Sequence, residues 1–265
     1  MTTSQAPRTE IVAIGSELVS GDTVDTNSAY LARHLRDIGL DVRRHTTIPD
    51  QVEDIAQVVD EALARSAVVI TTGGLGPTVD DPTREGLARA VGRPLVFSPQ
   101  AWEMVQARYA ARGCPLGENA RRQAYVPEGA HLLPNEVGTA PGFVVETERG
   151  LVMALPGVPK EMERMFQAYG LPYLQERFPD AGVVRVRHLW VEGLVEADVD
   201  ARVGDLEAQA NPRLGLAARP GRVLLRLTAR AATPEQAERL LDDLEAELRQ
   251  RLGSWLQTRQ DSDET

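Results

Sequence analysis

The chain has a single cysteine, Cys114, in 265 residues. No intramolecular disulfide can form, which suits a reducing compartment. Cys114 follows the helix-ending turn Arg112-Gly113 with no activating neighbour in the sequence, so it reads as a passive thiol. Lysine is almost missing: Lys160 is the only one among 29 basic residues, leaving 28 arginines, a pattern read as genomic composition bias. A cationic excess is missing too. The formal charge of −10 and a pI near 5.0 exclude non-specific binding to nucleic acid, whose phosphates require a basic surface. No apolar run approaches the length of a bilayer span, and residues 1–8 are too short and too polar for a signal peptide. The expectation is a cytoplasmic protein with no membrane or nucleic-acid partner. His34, His45, His131 and His188 are scattered without the spacing of a zinc site.

What is present centres on residues 66–86. Ala67 to Ile70 is a short apolar run bounded by turn residues, the pattern of a parallel strand buried on both faces. Gly73, Gly74 and Gly76 then let the backbone turn sharply and approach a ligand, with Thr78 beside them. Asp81-Pro82 offers an N-cap followed by proline at the first helical position. A strand, glycine loop and helix N-terminus at the carboxyl edge of a parallel sheet favour an anion, phosphate above all. Asp80 and Asp81 would repel that phosphate unless a divalent cation lay between them; the alternative is that Asp81 only caps the helix and Asp80 is solvated.

The remaining order supports the same edge. Residues 9–14 form a first buried strand ending at Gly15-Ser16-Glu17, so Glu17 faces the edge. The polar loop 21–28 leads into an amphipathic helix, and Asp25 and Asn27 serve either ligand contact or capping. Val42 to Ile48 is a second strand with Asp50 at its end, a helix N-cap or a site acid. Residues 118–124 read as a short polar helix carrying Asn119. A second glycine-rich loop, Gly138-Thr139-Ala140-Pro141-Gly142, precedes two strands, and the second runs into Pro156-Gly157-Val158-Pro159 with Glu161 beyond. Glu161 either reaches ligand or favours the helix dipole. The β-α-β-α-β order predicts an α/β fold with a doubly wound, mostly parallel sheet over 1–178. A β-α-β-β-α pattern predicts a smaller α+β domain over 179–258, with 259–265 as a flexible tail.

These motifs, in this order, resemble the N-terminal portion of the CinA, or competence/damage-inducible, family: Gly15-Ser16-Glu17-Leu18 with Asp25-Thr26-Asn27, the 73–81 loop, Asn119 with Gln123, the 138–142 loop, and 156–162. The resemblance continues through Asn211-Pro212 to about Leu256. It implies a molybdopterin-binding-like domain of the MoaB/MogA kind followed by a small domain, commonly as a homodimer. It also implies metal-dependent hydrolysis of ADP-ribose to AMP and ribose 5-phosphate, with Co2+ or Mg2+ and with K+ as a further activator. On that resemblance Asp80, Asp81 and Asp50 are the catalytic acids, Asp80 and Asp81 the metal ligands, the 73–76 amides the phosphate cradle, and Pro156 and Gly157 the opposite wall. The chain stops before the amidohydrolase domain of many such proteins, so deamidase activity is not expected. Two further readings stand beside hydrolysis: a binding module for molybdopterin or a pterin nucleotide, and a non-catalytic partner of a separate nicotinamide-nucleotide deamidase chain.

Overall fold

The computed structural model describes residues 6–257. By contacts the chain divides into two compact units, one running to Arg36 and over Leu40–Pro179, the other comprising Asp37–Gly39 and Asp180 onward. The expectation of a loose tail over 259–265 concerns residues outside the described range.

In the first unit the elements are β1 (Arg8–Ile14), α1 (Ser16–Ser20), α2 (Thr26–Asp37), β2 (Asp41–Ile48), α3 (Val52–Leu63), β3 (Val68–Thr72), α4 (Thr83–Ala90), β4 (Leu95–Phe97), α5 (Pro99–Ala111), β5 (Tyr125–Pro127), β6 (His131–Leu133), β7 (Gly142–Thr147), β8 (Gly150–Leu155), α6 (Pro159–Met165) and α7 (Leu171–Arg177). The main sheet has the order β2-β1-β3-β8-β7-β6. The first four strands pair in parallel, and β7 and β6 continue it antiparallel. Because β1 feeds leftward to β2 and β3 feeds rightward to β8, the chain reverses direction between β1 and β3. That switch point opens a crevice at the carboxyl edge.

Residues 11–14, 68–70 and 151–155 of the parallel strands are apolar and buried because helices cover both faces of the sheet. Val12, Ile14, Val69 and Val152 pack with Ile55, Val59, Leu63 and Leu87 of α3 and α4. The alternate residues Ile11, Ala13, Ile70 and Met153 are equally buried on the opposite face. Short strands β4 and β5 pair antiparallel apart from the main sheet. The sequence pattern marks no strand at these two or at β6, because three-residue strands carry too few alternations to register as a period.

The second unit holds β9 (Val183–Glu192), α8 (Glu196–Glu207), β10 (Arg213–Arg219), β11 (Arg222–Ala231), α9 (Pro234–Leu252) and β12 (Leu256–Gln257). Its antiparallel sheet has the order β10-β11-β9-β12. Leu241, Leu244, Leu248 and Leu252, at helical spacing on α9, pack with Leu189, Val191, Val223 and Leu225 of the strands. The Thr233 hydroxyl caps α9 by accepting from Gln236 N at 3.3 Å, with Pro234 following it. Arg187 on β9 meets Glu238, Asp242 and Glu245 along one side of α9 at 2.7–2.8 Å. Among the described residues no helix is long and apolar enough to cross a membrane.

Two predictions follow from packing and burial. Gly86 sits inside α4, where a Cβ would lie 2.5 Å from Ile55 Cγ2 of α3. Gly86→Ala therefore lowers stability by about 1–3 kcal/mol in urea denaturation, although alanine is the better helix former. Burial, and then donation to Glu146 Oε1 at 2.8 Å, push the Tyr173 phenol up to about 12. A value raised above the ordinary 10.0 means that this contribution to stability is intact below pH 10 and is lost as pH rises toward 12. Alkaline absorbance titration of the five tyrosines shows a late phenol that Tyr173→Phe removes.

Candidate functional site

The crevice between β1 and β3 contains a cavity of about 370 Å³. Its floor is the loop that follows β3, and its sides are the segments that follow β1, β2 and β8. Gly73 has φ +114°, and a Cβ there would lie 2.0 Å from the Ile14 carbonyl oxygen, so only glycine lets the two strand ends cross this closely. The amides of Gly74, Leu75 and Gly76 enter no backbone–backbone hydrogen bond among the described residues. Of these three, Gly74 lines the cavity, where an unbonded backbone N–H suits an anion.

Arg84, in the first turn of α4, holds this loop from beneath. It is 3% exposed and donates to the carbonyls of Leu75 at 2.6 Å and Gly76 at 3.2 Å. Burial drives its guanidinium down to about 10, against the opposing pull of Glu85 and Asp81. It remains charged at neutral pH. A buried arginine breaks no apolar period and carries no motif, so its role was not visible in the sequence.

Of the residues singled out from the sequence, Glu17, Asp25, Asn27, Asp50, Gly73, Gly74, Thr78, Asp80, Asp81 and Gly157 all line this cavity. Several do so in ways the sequence did not indicate. Asp81 is not the N-cap of α4: the helix begins at Thr83 with Pro82 before it and no side-chain cap. Asp81 Oδ2 instead accepts from Thr78 N at 2.9 Å and Thr78 Oγ1 at 2.5 Å, closing the loop on itself, with the carboxylate packed against Gly76. Asp50 does not cap α3 either; Gln51 takes that position. Its Oδ2 accepts from Ser16 N at 2.7 Å and Ser16 Oγ at 3.0 Å, pinning the start of α1 to the end of β2. Asp25 caps α2 by accepting from Ser28 N at 2.9 Å. Glu17 and Asp80 make no hydrogen bond or ion pair among the described residues, so both present a free carboxylate.

Asn27 binds three segments together. Its Nδ2 donates to Thr72 Oγ1 at 2.9 Å and Gly157 O at 2.8 Å, while Thr72 Oγ1 donates to Pro156 O at 2.8 Å. Those partners fix the amide orientation, leaving Asn27 Oδ1 buried without a partner.

Six sequence candidates lie elsewhere, Gly76 among them: it sits against the Asp81 carboxylate and does not line the cavity. Pro156 contributes only the carbonyl just described and does not line the cavity. Asn119 is exposed on the 3-10 turn Glu118–Ala124. Gly138 and Thr139 belong to a structural knot: Glu161 Oε2 accepts from Asn135 Nδ2 at 2.8 Å and packs against Gly138, where a Cβ would collide with its carboxylate. Thr139 Oγ1 accepts from Gln123 at 3.0 Å. Among the described residues no group of three or more His, Cys, Asp or Glu gathers as a metal centre. Any cation at Asp80 and Asp81 would need ligand and water oxygens to complete its shell.

Residues 10–176 match the family model described as "Probable molybdopterin binding domain", and residues 186–256 match "Damage-inducible protein CinA KH domain". The chain is similar to a solved structure of CinA, with unknown function, from Thermoplasma acidophilum: 35% identity, TM-score 0.59, covering 63% of this chain and 98% of that one. The chain belongs to the CinA family. It is 40% identical over 250 residues to a CinA-like protein of Dictyoglomus thermophilum, covering 94% of this chain and 60% of that relative, so it spans three fifths of the relative's length. It is 44% identical over 238 residues to a protein of Aeropyrum pernix, covering 87% and 88% of the two chains. The fold is accordingly the mostly parallel α/β type of the molybdopterin-binding domain, followed by a smaller antiparallel domain of the CinA KH type. The expectation of ADP-ribose hydrolysis does not stand: residues 10–176 match a domain described by the binding of molybdopterin.

The amide geometry gives a test. Asn27→Asp replaces the donor between Thr72 and Gly157 by an acceptor facing oxygen, and it costs about 1–3 kcal/mol of stability by urea denaturation at neutral pH.

Proposed function

We propose that the carboxyl-edge cavity of this CinA-family chain is a binding site for a phosphorylated pterin of the molybdopterin class, and that the chain acts as a binding module. The observation that carries this reading is the pairing of the unbonded Gly74 amide with free acceptors around one cavity. The unbonded amide of Gly74, on a loop held by the charged Arg84, suits the phosphate. Glu17, with both carboxylate oxygens free, suits the amino and ring N–H donors of a pterin edge, which a carboxylate can accept in parallel. The buried Asn27 Oδ1 is a further acceptor at the same wall.

This assignment removes the electrostatic conflict that a phosphate alone would create. Neutral N–H donors take up Glu17, Asp25 and Asp50 are engaged by Ser28 N and by Ser16, and Asp80 and Asp81 are left for a cation beside the phosphate. Their all-oxygen donor set suits a hard divalent cation such as Mg2+, which commonly uses one or two protein carboxylates and completes its shell with phosphate and water. When bound, such an ion supplies charge neutralisation. A homodimer, or association with a separately encoded deamidase chain, belongs to the same proposal as context for the bound pterin.

Equilibrium titration of a phosphorylated pterin, followed by its own fluorescence, tests the reading. Saturable binding is expected, weakened about tenfold or more in Glu17→Gln, weaker again for the unphosphorylated pterin, and strengthened by Mg2+ only while Asp80 and Asp81 are intact. No binding of the phosphorylated pterin to folded protein rejects it.

A further inference from the structure

We propose a second anion site, an oligophosphate pocket, at the opposite, amino edge of the parallel sheet. A cavity of about 310 Å³ there is lined by Arg8, Glu10, Arg43, Arg44, Arg65 and Ser66, all within the first unit. Four guanidinium groups converge on one concavity in a chain whose net charge is −10.

Their convergence is built by the backbone. Adjacent strand residues point to opposite faces, yet Arg43 and Arg44 of β2 line the same cavity. The β1–β2 register explains this: Thr9 pairs with Val42 and Glu10 with Arg44, so Arg43 is skipped and the strand bulges there. A bulge re-aims a side chain, and here it places a second arginine on the cavity side.

The charges do not cancel internally. Arg65 binds both oxygens of Glu10 at 2.8 Å, and Ser66 Oγ donates to the same carboxylate at 2.9 Å, so the 2%-exposed Glu10 is saturated with donors. Arg43 pairs with Asp41 at 2.6 Å. Arg8 and Arg44 are exposed and have no carboxylate among the described residues. Two unpaired guanidiniums beside two paired ones repel until an anion with several oxygens enters, and the planar fork of arginine matches phosphate oxygens two at a time. A compact cavity, as opposed to an open basic stripe, suits a short oligophosphate, whether free or carried on a nucleotide.

Calorimetric titration of the full chain with tripolyphosphate and, separately, ATP tests the site at low salt. Three proteins are compared: wild type, the double variant Arg8→Gln/Arg44→Gln, and Glu17→Gln/Asp80→Asn at the carboxyl edge. Both mutated arginines are exposed, and a thermal melt confirms that the double variant folds. The expected result is tripolyphosphate binding that falls about tenfold or more in the arginine variant and persists in the carboxyl-edge variant. Equal affinity for tripolyphosphate and ATP supports a free oligophosphate as occupant, and tighter ATP binding supports a nucleotide. Absence of tripolyphosphate binding at millimolar concentration, binding unchanged in the arginine variant, or binding lost with the carboxyl-edge substitutions overturns it. Because the arginine variant leaves the carboxyl-edge cavity intact, its pterin titration separates failure of this site from failure of the other.

Discussion

The structure depends on one close crossing, where the backbone after β3 passes over the end of β1. Gly73 comes so near the Ile14 carbonyl that no side chain fits between them. Two parallel neighbours whose connections run to opposite sides are thereby held close at the base of the crevice. The cavity and the distance between its walls are consequences of that contact. It also explains why apolar burial alone would not build the site. Hydrophobic packing holds the strands side by side, but backbone contact at the edge sets how far apart the following loops can stand.

Polar side chains around the crossing act mainly as ties. Asp50 joins the end of β2 to the start of α1, Asp81 closes its own loop through Thr78, and Asn27 links α2 to the ends of β3 and β8. Each tie uses part of a group's hydrogen-bonding capacity and leaves the rest toward the cavity. A carboxylate with one oxygen anchored is also held in position for a ligand, because its rotamer freedom has already been removed. Glu17 and Asp80, without such ties, are the adaptable members of the set.

The parallel core was legible because Ile11 to Ile14 and Ala67 to Ile70 are continuous apolar runs, the first followed by Gly15 and the second leading through two threonines to Gly73, and the leucine spacing of α9 marks a helix with one buried face. The gathering of Glu17, Asp50 and Asp81 followed from strand ends sharing an edge. What was illegible has local causes. Asp-Pro before a helix suggests an N-cap, but Thr78 competes successfully for the Asp81 carboxylate. The 138–142 loop looks like the 73–76 loop in composition, yet Glu161 fills the space beside Gly138, and Met165 that beside Gly142. The bulge at Arg43 cannot be read from sequence at all, since it arises from pairing between strands. The functional expectation of hydrolysis came from resemblance and not from these residues, and a fold of this kind hosts more than one chemistry.

Arg84 gives the chain's near-absence of lysine a local consequence. Burial lowers this guanidinium from its ordinary range to about 10 and still leaves it protonated across the physiological range. An ammonium group starting near 10.4 and lowered by a comparable amount would titrate at roughly 8, so the loop would lose part of its charge with small changes in pH. With arginine, the potential beneath the glycine loop acts as a fixed property of the scaffold. A compositional bias across the whole chain thus makes one local electric field insensitive to proton concentration.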